Sequence, residues 1–337
     1  MLIDFTGCEI DLAAKYGGSD QKRGIIYNGD RYMIKFAERI PSESQNPLNS
    51  SYSNSIFSEY ICCNILNALG FEAQQTLLGY YKMKPGSESR PVVACRNFLQ
   101  QNEVLLEFKV IENALADEKP GPIPKIEDIY AIMKSDNVYF DSYFGEQALK
   151  SYWDTFVLDS LLGNFDRHSN NWGYILNQDT GNLRIAPIYD CGSCLYPKMA
   201  DHVLQDILSS EDEINLRINV FPKAALIVGE ERKISYKEYI NSLCNPDCNE
   251  AVLRIVPRLD FNIINQVIDD VDELSDIRKQ FYKTMLHERY IKIIEPAYEK
   301  LLELKERELD NVEQKQNSAN ENYDVDYDEY DDFDLAD

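Results

Sequence analysis

The pattern of hydrophobic and polar positions predicts a β-rich first part of the chain that carries one main helix. Four strands are predicted, over 24–27, 31–36, 75–83 and 91–96. Asn28-Gly29 between the first two strands is a strong signal for a two-residue hairpin turn. A helix is predicted over 55–69, because apolar residues recur there with a 3.6-residue period and Gly70 follows as a stop.

After residue 98 the pattern is mostly helical. Helices are predicted over 125–135, 143–162, 201–219, 235–244, 249–256, 261–270 and 272–308. Pro296 predicts a kink in the last of these. One hairpin, of strands 172–176 and 183–188, interrupts the helical part. We therefore expect an α+β fold in which a β-rich unit precedes a mostly helical one.

Charge is unevenly distributed over the 337 residues. The net charge is −24, and residues 321–337 alone carry nine acidic and no basic residues, which leaves −15 for the rest. This balance argues against direct nucleic-acid binding, because a phosphate backbone would be repelled. Residues 316–337 are expected to form a disordered acidic tail. No signal peptide and no membrane span are predicted, since no suitable apolar run exists.

The stretch 158–197 has the pattern of an active site. Asp166 and Asp190 each follow an apolar run, and Asn171 lies five residues after the first carboxylate. A loop that carries an Asp and an Asn, followed by a hairpin that ends in a second Asp, is how kinase-like folds build a metal-phosphate site. In that interpretation Asp166 is catalytic, while Asn171 and Asp190 are oxygen ligands of Mg²⁺.

Lys35 and Glu59 provide the second part of the interpretation. Lys35 lies in a strand with buried alternate positions, so its ammonium group needs a partner. Glu59 flanks the apolar stripe of the predicted helix and is the expected partner. A lysine that reaches solvent from an edge strand and a solvated surface glutamate are the alternatives that the two residues by themselves leave open.

Three further positions are candidates for nucleotide contacts. The loop containing Gly17, Gly18 and Ser19 could bring backbone N–H groups against phosphate oxygens, although most such segments are only turns. Cys95 and Asn97 lie at the end of the last strand, where a hinge to the helical part would contact adenine.

The remaining chemistry of the stretch is assigned less directly. His168 either contacts the γ-phosphate or only holds the loop, and Arg167 is expected to form an ion pair within the loop. A glycosidase would not need the strand lysine, its helix partner and the Asn at this offset. The pairs Cys191/Cys194 and Cys244/Cys248 could together bind zinc, but reduced thiols are the preferred interpretation.

With these residues in view, the chain resembles the HipA-like serine/threonine kinases, with most likeness to their branch of small, translocated proinflammatory kinases. The matching segments are IDFTGCEI, YMIKF, FSEYICCNILNALGF, TLLGYYK, VVAC, LLGNFDRHSNNWG, IAPIYDCGSCLYP, RIVPRLD and TMLHER. The likeness extends from about residue 2 to about residue 300.

The resemblance implies a two-lobed kinase-like fold and ATP- and Mg²⁺-dependent phosphorylation of Ser or Thr, including autophosphorylation. It places a nucleotide-binding N-lobe in residues 1–97 and a C-lobe in 98–315. It also assigns Lys35 to the phosphates with Glu59 behind it, and the Gly17-Gly18 loop over them. We expect no counterpart of the subdomain that precedes the kinase in larger HipA toxins, and Lys15 stands where several HipA kinases have a phosphorylated serine.

Partners and location are expectations only. The protein substrate is open, with an antitoxin or a host protein as a possible partner, and a monomer is expected. The protein is expected in the cytoplasm, with translocation into a host cell without a Sec signal as the other option. A catalytically silent pseudokinase and a lipid kinase are the alternatives. The pseudokinase is disfavoured because all the expected site residues are present, namely Lys35, Glu59, Asp166, Asn171 and Asp190. The lipid kinase is disfavoured because the acidic composition leaves little room for a basic membrane-facing patch.

Overall fold

The computed structural model describes the backbone of residues 2–12, 22–37, 53–116, 120–121, 123–229 and 233–324, and side chains as far as residue 312. The predicted phosphate loop with Gly17, Gly18 and Ser19 lies outside these ranges, as do residues 325–337 of the acidic tail.

The first part of the chain forms a six-stranded sheet, in the order β1-β5-β6-β4-β3-β2. Its strands are β1 (Ile3–Asp4), β2 (Glu9–Ile10), β3 (Lys22–Tyr27), β4 (Asp30–Phe36), β5 (Thr76–Lys82) and β6 (Ser89–Arg96). All neighbours are antiparallel except β1 and β5. The predicted Asn28-Gly29 turn joins β3 and β4, and both residues have the positive φ that such a turn requires, 51° and 85°.

Helix α1 (Ser55–Ala68) packs against this sheet, as the periodicity predicts. Its buried side chains include Ile56, which clusters with Val93 and Cys95 of β6. Other buried residues of α1, among them Ile61 and Leu66, belong to the large core of the helical part. The helix therefore lies between the two parts of the molecule and contacts both.

A second sheet, which the sequence did not predict in full, supports the site hairpin. Strand β7 (Glu103–Glu107) pairs antiparallel with β8 (Gly173–Asn177), and β8 pairs with β9 (Leu183–Ile185). The hairpin of β8 and β9 was expected, but β7 was not. The loop with Asp166 and Asn171 precedes β8, and Asp190 follows β9. Three paired strands, rather than the two that were predicted, therefore support the segment between these residues.

Helices make up most of the rest of the described chain. They are α2 (Phe108–Leu115), α3 (Ile126–Lys134), α4 (Ser142–Leu162), α5 (Asp201–Leu208), α6 (Glu211–Asn219), α7 (Tyr236–Ser242), α8 (Pro246–Ile255), α9 (Phe261–Asp269), α10 (Asp276–Arg289) and α11 (Glu295–Asp324). A 3-10 turn follows α8, at Val256–Arg258. The α+β, two-lobed, kinase-like architecture is confirmed: a β-rich lobe with one main helix precedes a mostly helical lobe.

Two helical predictions differ from the structure. The single helix expected over 201–219 is two helices, because Ser210 accepts a hydrogen bond from the Glu213 N–H and so caps the start of α6. Another short hairpin, β10 (Lys223–Ile227) with β11 (Lys233–Ser235), follows where no strands were predicted.

The last predicted helix, over 272–308, is also divided. A π-helical turn at Tyr290–Ile294 separates α10 from α11, directly before Pro296. Proline has no N–H to donate and its ring crowds the preceding turn, which explains a departure from the α-helical ladder at this point. The α11 backbone continues to Asp324, past residue 316, where the tail was expected to begin.

Gly145 of α4 offers a test of the packing between α3 and α4. A Cβ atom at this position would overlap the main-chain carbonyl oxygen of Met133. We expect Gly145→Ala to destabilise the protein by about 2 kcal/mol or more, because overpacking against backbone outweighs the gain in helix propensity. Thermal and urea unfolding would measure this.

Gly7→Ala is the matched control, since a Cβ there has nothing within 4 Å. It should change the free energy of unfolding by less than about 0.5 kcal/mol. Equal stability of the two variants would contradict the close approach of the helices.

Candidate active site

Lys35 connects the two lobes at the site. It lies in β4 with 8% of its surface exposed, and its Nζ is 2.8 Å from Asp190 Oδ1 and 3.0 Å from Glu59 Oε2. The hydrogen bond goes to Asp190. Glu59 is in ionic contact only, because neither of its oxygens accepts a well-aligned hydrogen bond within the described part of the chain. The predicted Lys35–Glu59 ion pair is present, and the direct bond to Asp190 is an addition to it.

The three charges respond differently to burial. Burial disfavours the charged form of Lys35, but Glu59 and Asp190 outweigh it and hold the pKa of Lys35 well above its usual value. Burial raises the pKa of Glu59 despite the attraction of Lys35, and repulsion from Asp190 adds to the increase. Burial also opposes ionisation of Asp190, yet Lys35 and Arg167 together lower its pKa. Asp190 is therefore the carboxylate best suited to stay ionised and bind a cation.

Glu59 reaches this cluster because α1 packs closely against the turn that follows Asp190. A Cβ at Gly192 would lie 3.2 Å from Glu59 Oε2 and 3.5 Å from the Ser55 carbonyl oxygen. Glu59 itself is 1% exposed. Glycine at position 192 thus allows a helix of the N-lobe to approach the C-lobe segment that carries Asp190.

A buried ion pair joins the loop that carries Asp166 to helix α4. Arg167 Nε lies 2.9 Å from Asp159 Oδ2, and its Nη2 lies 3.0 Å from Asp159 Oδ1, a bidentate arrangement. Burial disfavours the guanidinium charge, but the Asp159 carboxylate outweighs it and keeps the pKa of Arg167 well above its ordinary value. Asp159 belongs to α4, so the loop is fastened to the helix that precedes it.

The same guanidinium also connects the two candidate metal ligands. Arg167 Nη1 donates to the carbonyl oxygen of Asn171 at 2.8 Å and to that of Tyr189. Tyr189 directly precedes Asp190. Arg167 forms an ion pair, as expected, but its partner Asp159 lies in α4 and not within the loop as predicted. Its bonds to the two carbonyl groups connect the loop to the strand end.

Within the loop, Asn171 is fixed by its own backbone and by Asp166. Its N–H donates to the His168 carbonyl at 2.8 Å, and its Nδ2 donates to the Asp166 carbonyl at 2.8 Å. The carboxylate of Asp166 is 47% exposed. His168 Nε2 is 3.9 Å from Asp166 Oδ1, too far for a hydrogen bond. A reactive carboxylate thus faces the open side of a firmly held loop.

Asp190 adopts an unusual backbone conformation. Its φ is 58°, in the left-handed region that residues other than glycine seldom occupy. Leu195 and Tyr196, a few residues later, have φ values of 57° and 54°. Such conformations cost energy and concentrate at functional sites, where the surrounding structure imposes them. Here the bond from Lys35 and the bonds of Arg167 supply that constraint.

The predicted adenine contacts lie at the junction of the lobes. Cys95 is fully buried in β6, in the cluster beneath α1. Asn97 follows the strand, where its N–H donates to the Arg31 carbonyl at 2.8 Å and its side chain accepts from the Leu99 N–H. Both residues are close to the hinge in sequence, while the side chain of Cys95 faces the protein interior.

The donor set fits a nucleotide with a hard divalent cation. Asp190 offers a carboxylate, and the hydrogen bond from Asn171 Nδ2 leaves the amide oxygen of Asn171 as a possible ligand. Both are oxygen donors of the kind that Mg²⁺ prefers, and Lys35 adds a positive charge next to them.

Sequence reasoning missed Asp159 and Ser193. Asp159 lies in the apolar run before the loop, and a carboxylate in such a run is a signal for a buried cation partner. Ser193 donates a hydrogen bond to Asp166 Oδ2 at 3.4 Å, and no sequence pattern indicates that contact.

The two cysteine pairs do not form the zinc site that was the alternative to reduced thiols. All eight cysteines lie in described ranges and are free thiols. Cys191 and Cys194 interact with Cys63 and Cys62 of α1, whereas Cys244 is exposed. Within the described ranges no group of three or more His, Cys, Asp or Glu residues could hold a metal ion. Nor is any described helix long and apolar enough to cross a membrane.

Comparison with known proteins connects this geometry to a family. The model of the HipA-like C-terminal domain matches residues 14–245. The serine/threonine-protein kinase CtkA of Helicobacter pylori is 41% identical over 336 residues, which span 98% of this chain and 95% of that protein.

A solved structure shows the same relation. A crystal structure of the proinflammatory kinase CtkA of Helicobacter pylori superposes with a TM-score of 0.81 at 40% identity, covering 90% of this chain and 99% of the other. HipA of Shewanella oneidensis, solved with HipB and operator DNA, matches with a TM-score of 0.48 at 15% identity, covering 85% and 67% of the two chains.

Arg167 offers a test of the buried support. We expect Arg167→Met to lower the free energy of unfolding by about 3 to 5 kcal/mol, because Asp159 would remain as an unpaired buried charge. Urea unfolding followed by circular dichroism would measure the loss.

The matched control is Arg96→Met, since the Arg96–Asp30 pair is 2.8 Å long but about half exposed at both partners. Its loss should cost about 1 kcal/mol or less. Similar losses in the two variants would show that Arg167 does not support the loop as described.

Proposed function

The chain belongs to the HipA-like C-terminal domain family and is a serine/threonine protein kinase, and from this we propose how its residues divide the work. Asp166 is the catalytic residue, Asn171 and Asp190 hold Mg²⁺, and Lys35 binds nucleotide phosphate with Glu59 behind it. The observation that carries this assignment is the position of Lys35, 2.8 Å from Asp190 and 3.0 Å from Glu59.

Asp166 is suited to accept the proton of an attacking hydroxyl. Its carboxylate is half exposed while its backbone is held by Asn164 and Asn171. A base must lie within hydrogen-bond reach of the hydroxyl and be fixed in orientation, and both conditions are met by an open carboxylate on a rigid loop. His168 does not reach Asp166, so it supports the loop or contacts substrate rather than sharing the proton.

Lys35 and Asp190 prepare the phosphate end of the site. Lys35 stays protonated because two carboxylates flank it, and Asp190 stays ionised because Lys35 and Arg167 flank it. ATP with Mg²⁺ supplies the transferable phosphoryl group and neutralises charge as that group moves. Lys35 bonds Asp190 in this structure; with nucleotide bound, we expect Lys35 to share its charge with phosphate.

Several finer assignments belong to the same proposal. We place the boundary of the lobes at residue 97 and the end of the C-lobe near residue 315, with the adenine beside Cys95 and Asn97. Gly17, Gly18 and Ser19 would cover the phosphates. A monomer acting on a host protein, or restrained by an antitoxin, remains a prediction, as does translocation into a host cell.

The catalytic assignment predicts the outcome of two substitutions. Asp166→Asn and Asp190→Asn should each lower transfer of labelled phosphate from ATP to casein by at least about a hundredfold, since they remove the base and a metal ligand. Asp136→Asn, an exposed carboxylate on another surface, is the control and should keep full activity. Full activity in either site variant, with circular dichroism showing a folded protein, would refute the assignment.

The metal assignment makes a separate prediction. Asn171→Ala should raise the Mg²⁺ concentration for half-maximal activity by about tenfold, because one oxygen ligand is lost. A titration of activity with Mg²⁺ at saturating ATP would measure the shift. An unchanged Mg²⁺ requirement would remove Asn171 from the ligand set.

A further inference from the structure

Ser193 places a hydroxyl group at the catalytic carboxylate. Its Oγ donates to Asp166 Oδ2 at 3.4 Å. Hydrogen bonds of catalytic groups are often this long before substrate binds. In the described part of the chain, no other hydroxyl forms a hydrogen bond with the Asp166 carboxylate. Ser193 therefore lies where the hydroxyl of a protein substrate would have to lie.

The turn that carries Ser193 also carries the metal-binding carboxylate. Asp190 is three residues earlier, and its side chain is bonded to Lys35. The hydroxyl that contacts the proposed base is therefore three residues from the proposed Mg²⁺ ligand, which is itself bonded to the phosphate-binding lysine. This combination is what phosphoryl transfer requires of an acceptor.

The position of Ser193 is enforced by its neighbours. The Cys194 N–H donates to the Cys191 carbonyl at 3.1 Å, which closes a tight turn around Ser193. Gly192, the preceding residue, lies close to α1. Two residues after Ser193, Leu195 and then Tyr196 have left-handed backbone conformations. The turn and these contacts restrict the backbone around Ser193, and in this arrangement its Oγ lies 3.4 Å from Asp166 Oδ2.

We propose that Ser193 is a phosphorylation site that the kinase modifies in its own chain. Ser193 Oγ forms a bond to the γ-phosphorus of ATP, the bond from that phosphorus to the β–γ bridging oxygen breaks, and ADP leaves. The hydroxyl proton passes to the Asp166 carboxylate. This inference rests on the proposed function, because ATP and the catalytic role of Asp166 are taken from it.

Phosphorylation of Ser193 would switch the enzyme off. The phosphate adds a charge of about −1.5 to −2 beside Asp166 and close to Asp190. Lys35, the cation bonded to Asp190, is already in contact with both Glu59 and Asp190. Repulsion would then oppose binding of another anionic nucleotide, and the Ser193 phosphate would occupy the place of the substrate hydroxyl.

The test maps phosphates on the full-length, unmodified protein after incubation with ATP and Mg²⁺, by mass spectrometry of its peptides. Phosphate on Ser193 is expected, with a first-order rate that does not change when the enzyme is diluted tenfold. Activity towards casein should fall by about tenfold as Ser193 becomes modified. The inactive Asp166→Asn variant should show no phosphate at this position.

Variants separate this effect from a general loss of activity. For each variant, activity towards casein is compared before and after incubation with ATP. The ratio should stay near one in Ser193→Ala, and should fall in Ser193→Thr, which keeps a hydroxyl, and in Ser142→Ala, an exposed serine elsewhere.

The outcomes distinguish the two proposals. Casein labelled but Ser193 unmodified would overturn the inference and leave the proposed function intact. Labelling of Ser193 at a rate proportional to enzyme concentration would overturn transfer within the same chain. No labelling of either casein or the enzyme itself would contradict the proposed function and this inference together.

Discussion

The contact between Lys35 and Asp190 is the constraint on which the site depends. It joins a strand of the N-lobe to a segment of the C-lobe that is 155 residues away in sequence. Lys35 is buried, and its charge would be costly without a counter-charge. Glu59 completes the cluster from α1, so three side chains connect the sheet, the main helix and the segment that carries Asp190.

Arg167 has the corresponding role inside the C-lobe. It pairs with Asp159 of α4 and donates to the carbonyl groups of Asn171 and Tyr189. These two cations have different roles. Arg167 is bonded to groups of the protein itself, whereas Lys35 lies where a nucleotide phosphate could compete with Asp190 for its charge. One arginine therefore sets the geometry of the loop, and one lysine remains available for chemistry. The left-handed conformation of Asp190 is maintained between them.

The sequence alone identified the local features correctly. The Asn28-Gly29 turn, helix α1 and the spacing of Asp166 and Asn171 depend on interactions within a few residues, which residue type and periodicity report directly. Its errors arose where local patterns are ambiguous. The short apolar run of β7 could suit a helix or a strand, and it is a strand because β8 offers an edge for pairing.

Which residues meet was decided by the tertiary structure. The sequence indicated that Lys35 needed a partner, since it lies in a strand with buried alternate positions, and it named Glu59. For Arg167 it predicted an ion pair within the loop. It could not show that Lys35 bonds Asp190, that Arg167 bonds Asp159, or that Ser193 lies beside Asp166. The periodicity of apolar residues predicts which side chains are buried. Contacts between distant segments depend on how helices and sheets pack, so only the folded molecule determines them.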